Sequence, residues 1–300
     1  MAAAFKIFAA SLKKHLRRNS LMRLILLTLF VLIAFAGNSV IARLALNSES
    51  IGPWAFSVIR FSSGALVLLL LARPKIGWQA GRWSAALALC AYGVFFSFAY
   101  LMLETGTGAL ILFAAVQLTM LAIAFYRGER LRVLQWLGLM MAMGGLAYLL
   151  SPSLNAPPPF GAMLMAISGM GWGVYSVMGK GAGDPIARTA GHFARAAILL
   201  AIATPLLLMA APEHMPNLYG LALAILSGTI TSGLGYALWY HVLRDISVTI
   251  ASISQLSVPV IAAIGGAVFV FEAVTFSFAI SCAVVLIGVG LATIKPSKQT

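Results

Sequence analysis

Ser232, Tyr236 and Tyr240 recur at every fourth position, as do Tyr92, Phe96 and Tyr100, while Ser252, Gln255 and Pro259 run along one stripe. Residues four apart share a helix face. These faces are aromatic, uncharged and able to hydrogen-bond, a chemistry suited to holding a small polar molecule against apolar walls. Trp239 stands beside the first stripe, and Gln117, Asn38 with Ser39, and Trp172 with Tyr175 and Ser176 add amide, hydroxyl and indole groups. Such groups can replace the water stripped from an ammonium and a carboxylate, which otherwise costs several kcal/mol. Four bases punctuate the same apolar runs: Arg43, Arg60, Lys180 and Arg195. An arginine at depth in a bilayer costs at least about 2.5 to 3.5 kcal/mol, so Arg60 must face a cavity, a carboxylate or helix-end carbonyls.

The elements that position these residues are membrane spans. Hydrophobic residues make up 61% of the 300 and charged residues 9%, against about half and a quarter in soluble proteins. Apolar runs between charged or Pro/Gly breaks place spans near residues 22 to 45, 53 to 72, 82 to 103, 107 to 126 and 133 to 150. A second set lies near 160 to 179, 188 to 210, 217 to 240, 248 to 270 and 275 to 294. At about 20 residues per span, ten spans consume roughly 200 residues and leave only short loops.

The net charge of +13 is a topology signal. Threading ten spans in order puts Lys6, Lys13, Lys14, Arg17, Arg18 and Arg23, then Arg73, Lys75 and Arg82, then Arg127, Arg130 and Arg132 on one face. Lys180, Arg188, Arg244, Lys295 and Lys298 fall on that face too. The opposite loops, 47 to 52, 104 to 107, 151 to 158, 211 to 216 and 272 to 274, carry no lysine or arginine. The positive-inside rule then makes both termini cytoplasmic. Nucleic-acid binding is not expected, and the basic segment 1–21 is expected to rest on anionic lipid. A cleaved signal peptide ending at Ala34-Phe35-Ala36 is the rival reading of the N-terminus; it would strip the second half's first span of its counterpart.

Cys90 and Cys282 both fall in spans, and His15, His192, His214 and His241 are scattered, so neither a disulfide framework nor a metal or cofactor site is expected. Gly181-Ala182-Gly183-Asp184 spells the GxGD of membrane aspartyl proteases, but it lies in a loop without a partner aspartate in a span. The chain does not read as an enzyme. All seven acidic residues, Glu49, Glu104, Glu129, Asp184, Glu213, Asp245 and Glu272, fall near span ends. A proton-driven cation antiporter needs an intramembrane acid, so movement down a gradient is expected.

The two halves echo each other. Ser39-Val40-Ile41-Ala42-Arg43 matches Ser176-Val177-Met178-Gly179-Lys180, Arg60 matches Arg195, Tyr100 matches Tyr236, Gly128-Glu129 matches Phe271-Glu272, and Gly144 matches Gly288. An odd number of spans per half turns the second copy upside down, the arrangement of alternating-access carriers. In that arrangement Arg43 pairs with Lys180 and Arg60 with Arg195 near opposite gates.

This order of echoes, with Gly128-Glu129-Arg130 and with Pro259 followed by a small-residue run to Glu272, resembles the EamA branch of the drug/metabolite transporter superfamily, from Leu21 to Ile294. Within it the chain is most similar to the aromatic amino acid exporters. The resemblance implies an all-α membrane protein of ten transmembrane helices, two inverted five-helix repeats (22–150 and 159–294, joined by 151–158, with a tail from 295) around a central cavity. Spans 3, 4, 8 and 9 would wall it, with 1 and 6 contributing and 5 and 10 peripheral. The candidate cavity residues are Asn38, Tyr92, Tyr100, Gln117, Trp172, Tyr175, Tyr236, Trp239, Ser252 and Gln255; the candidate hinge and gate residues are Pro259, Arg43, Arg60, Lys180 and Arg195. The implied activity is export of aromatic and other neutral amino acids across a bacterial inner membrane, with efflux of other metabolites or drugs as the alternative. Glycines 138, 144, 145, 288 and 290 suit packing within one chain or between two; a monomer is expected.

Overall fold

The computed structural model describes residues 2–128, 133–151, 156–179, 183–246, 251 and 254–293, with side chains from residue 22 onward except at 74, 75 and 293. Ser252 and Lys180, from the candidate residues above, lie outside this set. The described residues form helices and connecting turns with no strand: α1 (Ala2–Asn47), α2 (Pro53–Ala72), α3 (Pro74–Ala80), α4 (Trp83–Ala99), α5 (Thr105–Tyr126) and α6 (Val133–Leu149). The second half gives α7 (Pro159–Gly179), α8 (Pro185–Ala210), α9 (Leu218–Val242), α10 (Val258–Val270) and α11 (Phe276–Thr293). Six of these, α1 from Met22, α2, α5, α7, α8 and α9, are long and apolar enough to cross a membrane; α4, α6, α10 and α11 are shorter apolar helices. Large apolar side chains such as Leu70, Ile202, Leu206 and Met209 stand exposed on the outside of the bundle, as a lipid-facing surface requires.

Helix ends buried in lipid need partners for their free N–H groups, and loop carboxylates supply them. Glu213 accepts from Trp54 N (2.8 Å) and Ala55 N (3.0 Å) at the head of α2. Glu272 accepts from Thr105 N (2.8 Å) at the head of α5. Asp184 accepts from Ile186 N and Ala187 N at the head of α8. Each acid also meets the positive end of a helix dipole.

The helices pack in pairs: α4 on α7, α2 on α8, α6 on α11. The pair α6 and α11 sits at the periphery, crossing where a Cβ on Gly138 would lie 2.4 Å from Gly288 O. Gly144 faces outward with nothing within 4 Å. A second close crossing joins α2 to α9: a Cβ on Gly228 would lie 2.1 Å from Arg60 O.

Two features depart from the expected spans. Residues 74–80, expected as a loop, form α3. Pro259 does not kink a continuous helix. The chain turns at Leu256–Ser257 and α10 starts at Val258, so Pro259 occupies the first turn, where its missing N–H costs nothing.

Candidate functional site

Along the bundle axis the polar side chains fall into three tiers. At the centre, Arg60 of α2 is wholly buried. Its Nε donates to Ser232 Oγ (2.8 Å), and its Nη2 donates to the hydroxyls of Tyr92 (2.9 Å) and Tyr236 (2.7 Å). The guanidinium carbon lies 4.9 to 5.5 Å from the rings of Phe96, Tyr92 and Phe61, a favourable cation–π environment. Nη1 is buried without a hydrogen-bond partner, and no described carboxylate pairs with the charge.

Local folding aims this cluster. The backbone of α9 widens into a π-helical stretch over Ser227–Leu234, and such stretches shift side chains off the regular helical register. Here they deliver three hydroxyls, Ser227 (2.7 Å), Thr231 (3.0 Å) and Ser232 (3.4 Å), to Asn38 Oδ1. With its oxygen so occupied, Asn38 turns Nδ2 to the Tyr92 hydroxyl (3.4 Å). On the opposite side, Gly171 lets α7 approach Tyr92 N, and Ser168 Oγ donates to Tyr92 O (2.8 Å). The Trp172 ring thereby comes 5.0 Å from that of Tyr92 and 4.5 Å from that of Tyr236. Phe35, Asn38, Ser39, Tyr92, Phe96, Leu112, Phe113, Trp172 and Tyr236 enclose a narrow void, with Arg60 behind the two phenols.

Towards the end of the bundle away from the first helix's start, the Tyr100 ring stacks edge-on to Phe96 at 4.7 Å, and its hydroxyl donates to Thr105 O. Beyond it Arg43 Nε pairs with Glu272 Oε1 at 2.8 Å while Nη1 donates to Tyr100 O (2.9 Å). One arginine thus ties α1, the end of α4 and, through Glu272, the head of α5. This end is closed. Glu104 lies beside Glu272; its pKa is raised above the ordinary 4.5 by burial and by Glu272, with Arg43 opposing.

At the other end, a pocket opens between α7, α8 and α9, lined by Tyr175, Pro185, Arg188, Thr189, His192, Tyr240 and Arg244 among others. Tyr175 Oη is 3.2 Å from His192 Nδ1, and its ring packs against Trp172, linking pocket and cage.

The structure therefore brings Asn38, Tyr92, Trp172 and Tyr236 together around Arg60, and places Tyr100 and Tyr175 on either side along the axis. Trp239 packs behind Phe35. Gln117, buried one turn past Phe113, and Gln255, buried before α10, do not line the cage. Arg195 donates to Trp78 O (2.8 Å) and Gly191 O and lies on the rings of Trp78 and Trp83, fastening α8 to α3. Phe35, Ser168, Ser227, Thr231 and His192 join the site without having been singled out in the sequence. A spacing of four between Ser227 and Thr231 was the available signal.

The EamA-like transporter family's model matches the chain twice, over residues 22–151 and 159–294. The chain belongs to the EamA family. An uncharacterized protein of Pseudomonas aeruginosa is 47% identical over 83% of this chain and 87% of its own length. The uncharacterized transporter YoaV of Bacillus subtilis is 20% identical, covering 84% of this chain and 90% of its own. An uncharacterized transporter of Archaeoglobus fulgidus is 22% identical, covering 80% and 88%. A protein of known crystal structure shares the fold, with a TM-score of 0.60 at 21% identity over 88% of this chain and 96% of that one. This EamA chain is a multi-pass membrane transporter.

Proposed function

We propose that this transporter exports neutral amino acids, aromatic ones among them, across the bacterial inner membrane. The observation that carries the reading is the buried, unpaired charge of Arg60, set behind the phenols of an aromatic cage. A guanidinium without a carboxylate in a dry interior is costly, and a substrate carboxylate is the missing partner. The surrounding rings of Phe35, Phe96, Trp172 and Tyr236 suit an apolar or aromatic side chain.

The transport cycle is alternating access between two inverted five-helix repeats, with the shorter apolar helices completing ten spans. Two successive family matches and the positive-inside pattern support this. With both termini cytoplasmic, the Arg43–Glu272 tie closes the periplasmic side and the Tyr175–His192–Tyr240 pocket opens to the cytoplasm, the loading state of an exporter. No aspartate or glutamate is among the buried polar residues described. Among the described residues, then, no acid stands inside a span to couple transport to protons, which supports movement down the substrate gradient.

Counterflow in proteoliposomes with labelled phenylalanine, leucine, a nucleotide sugar and a cationic dye tests the reading. Exchange of the amino acids without an imposed proton gradient is expected. Exchange of the dye or nucleotide sugar alone would overturn it and favour efflux of other metabolites or drugs.

A further inference from the structure

The cage is rich in hydrogen-bond donors and poor in acceptors. Asn38 Oδ1 receives Ser227, Thr231 and Ser232. The Tyr92 hydroxyl oxygen receives Arg60 Nη2, Tyr236 Oη and Asn38 Nδ2. Ser232 Oγ receives Arg60 Nε, and Tyr236 Oη receives Arg60 Nη2. On the donor side, Ser39 Oγ on the wall of the void and Arg60 Nη1 behind the phenols are unused. The single bond between the two phenols consumes one of their two protons, whichever way it runs, and the other remains for a bound group.

An ammonium group brings three N–H donors and a positive charge into this setting. It finds no carboxylate, Ser39 Oγ as the one lining side-chain oxygen left without a partner, and Arg60 as a like charge. Ring faces alone offer it a modest attraction, and repulsion by Arg60 in a poorly screened interior works against that gain. A carboxylate finds the reverse, since hydrogen bonds to charged groups are the stronger ones.

We infer that the cage recognises the carboxylate and not the amine, so its substrate class is aromatic and apolar monocarboxylates, with the α-amino group dispensable. The inference deepens the amino acid reading and rests on it for the site, not for the amine. It extends the expected substrates to arylalkanoic acids and excludes the corresponding amines.

Binding to the purified protein in detergent at pH 8, measured by isothermal titration, separates the possibilities with three probes of one shape: L-phenylalanine, 3-phenylpropionate and phenethylamine. The expected result is a Kd for 3-phenylpropionate no weaker than that for phenylalanine, and a Kd for phenethylamine at least about tenfold weaker, the loss of one charge-assisted contact. Phenethylamine binding as tightly as phenylalanine would overturn the inference, as would 3-phenylpropionate binding more than about tenfold weaker than phenylalanine. If 3-phenylpropionate binds and phenylalanine does not, the amino acid reading fails and this one stands. Arg60→Met supplies a second measurement: it should abolish the preference for acid over amine, and a preference left unchanged would place recognition elsewhere.

Discussion

Arg60→Met separates two roles that a buried arginine can play, because they predict opposite signs for stability. As a structural tie, Arg60 would hold α2 to α4 and α9 through its three bonds of 2.7 to 2.9 Å to Ser232, Tyr92 and Tyr236. At about 1.5 to 3 kcal/mol for each charge-assisted bond, the gross gain is several kcal/mol. Against it stands the desolvation of a wholly buried cation that lacks a carboxylate, also several kcal/mol. The two nearly cancel. Methionine matches the length and fills the ring-lined space, and the tyrosines keep the bond between their own hydroxyls at 2.9 Å. The variant should be as stable as the parent or more so, by up to about 4 kcal/mol, as found when buried ion groups give way to apolar isosteres. Carboxylate affinity should fall by about 2 to 5 kcal/mol, the cost of truncating one partner of a buried charge pair, which is at least about 30-fold. The assay is paired: melting temperature of the detergent-solubilised protein, and Kd for phenylalanine by titration. A variant that melts well below the parent and binds normally would refute the reasoning, since Arg60 would then be a tie and not a ligand.

Four further outcomes follow from the geometry. Arg43→Gln removes the 2.8 Å pair with Glu272 and the bond to Tyr100 O; it should shift the closed end towards opening by at least about tenfold. The readout is labelling of Ser39→Cys by an impermeant maleimide from that side in a cysteine-free background, and unchanged labelling would count against a gate. Gly228→Ala should abolish folding or transport, because its Cβ would lie 2.1 Å from Arg60 O, whereas Gly144→Ala, with nothing within 4 Å, should gain up to about 1 kcal/mol in helix propensity; melting curves compare them. Phe271 holds φ 61° and is 88% exposed, so Phe271→Gly should stabilise by about 1 kcal/mol with transport unchanged. A carboxyl whose pKa is raised on folding costs stability while ionised. Stability should therefore rise as pH falls through the raised pKa of Glu104 towards 4.5, and Glu104→Gln should remove that part of the rise; an identical pH profile would assign it to another group.

Much of the cage was legible as residue type and spacing. Tyr92 and Phe96, or Tyr236 with its polar neighbours, stand on their faces because the four-residue rule holds locally, and Asn38 and Trp172 announce themselves as polar or bulky groups in apolar runs. The rule fails where the backbone leaves the regular helix. The π-helical stretch in α9 turns Ser227, Thr231 and Ser232 onto Asn38 together; an α-helical wheel pairs Ser227 with Thr231 but puts Ser232 on another face. Likewise Gln255 precedes a turn and not a continuous helix, so its place on a stripe with Pro259 does not carry it to the cage. Phe35 was silent because one apolar residue among many carries no pattern, although it sits 5.7 to 6.0 Å from Trp172, Tyr236 and Trp239.

The comparison of Arg60 with Arg195 shows what repetition does and does not transmit. Both follow the start of a helix by a similar interval, and both stack on aromatic rings, at 4.9 to 5.5 Å and 4.1 to 5.3 Å. Their hydrogen bonds differ in kind. Arg195 Nη1 donates to the backbone carbonyls of Trp78 and Gly191, which any sequence would offer, and its Nε has no partner, while Arg60 donates through Nε and Nη2 to the side chains of Ser232, Tyr92 and Tyr236. The reverse holds at the helix ends: Gly128 and Phe271 differ as side chains and yet share a positive φ. Backbone form thus repeats where side chains diverge, and side chains repeat where surroundings diverge. The second half contributes Ser232 and Tyr236 to the first half's arginine, and its own arginine fastens α8 to α3.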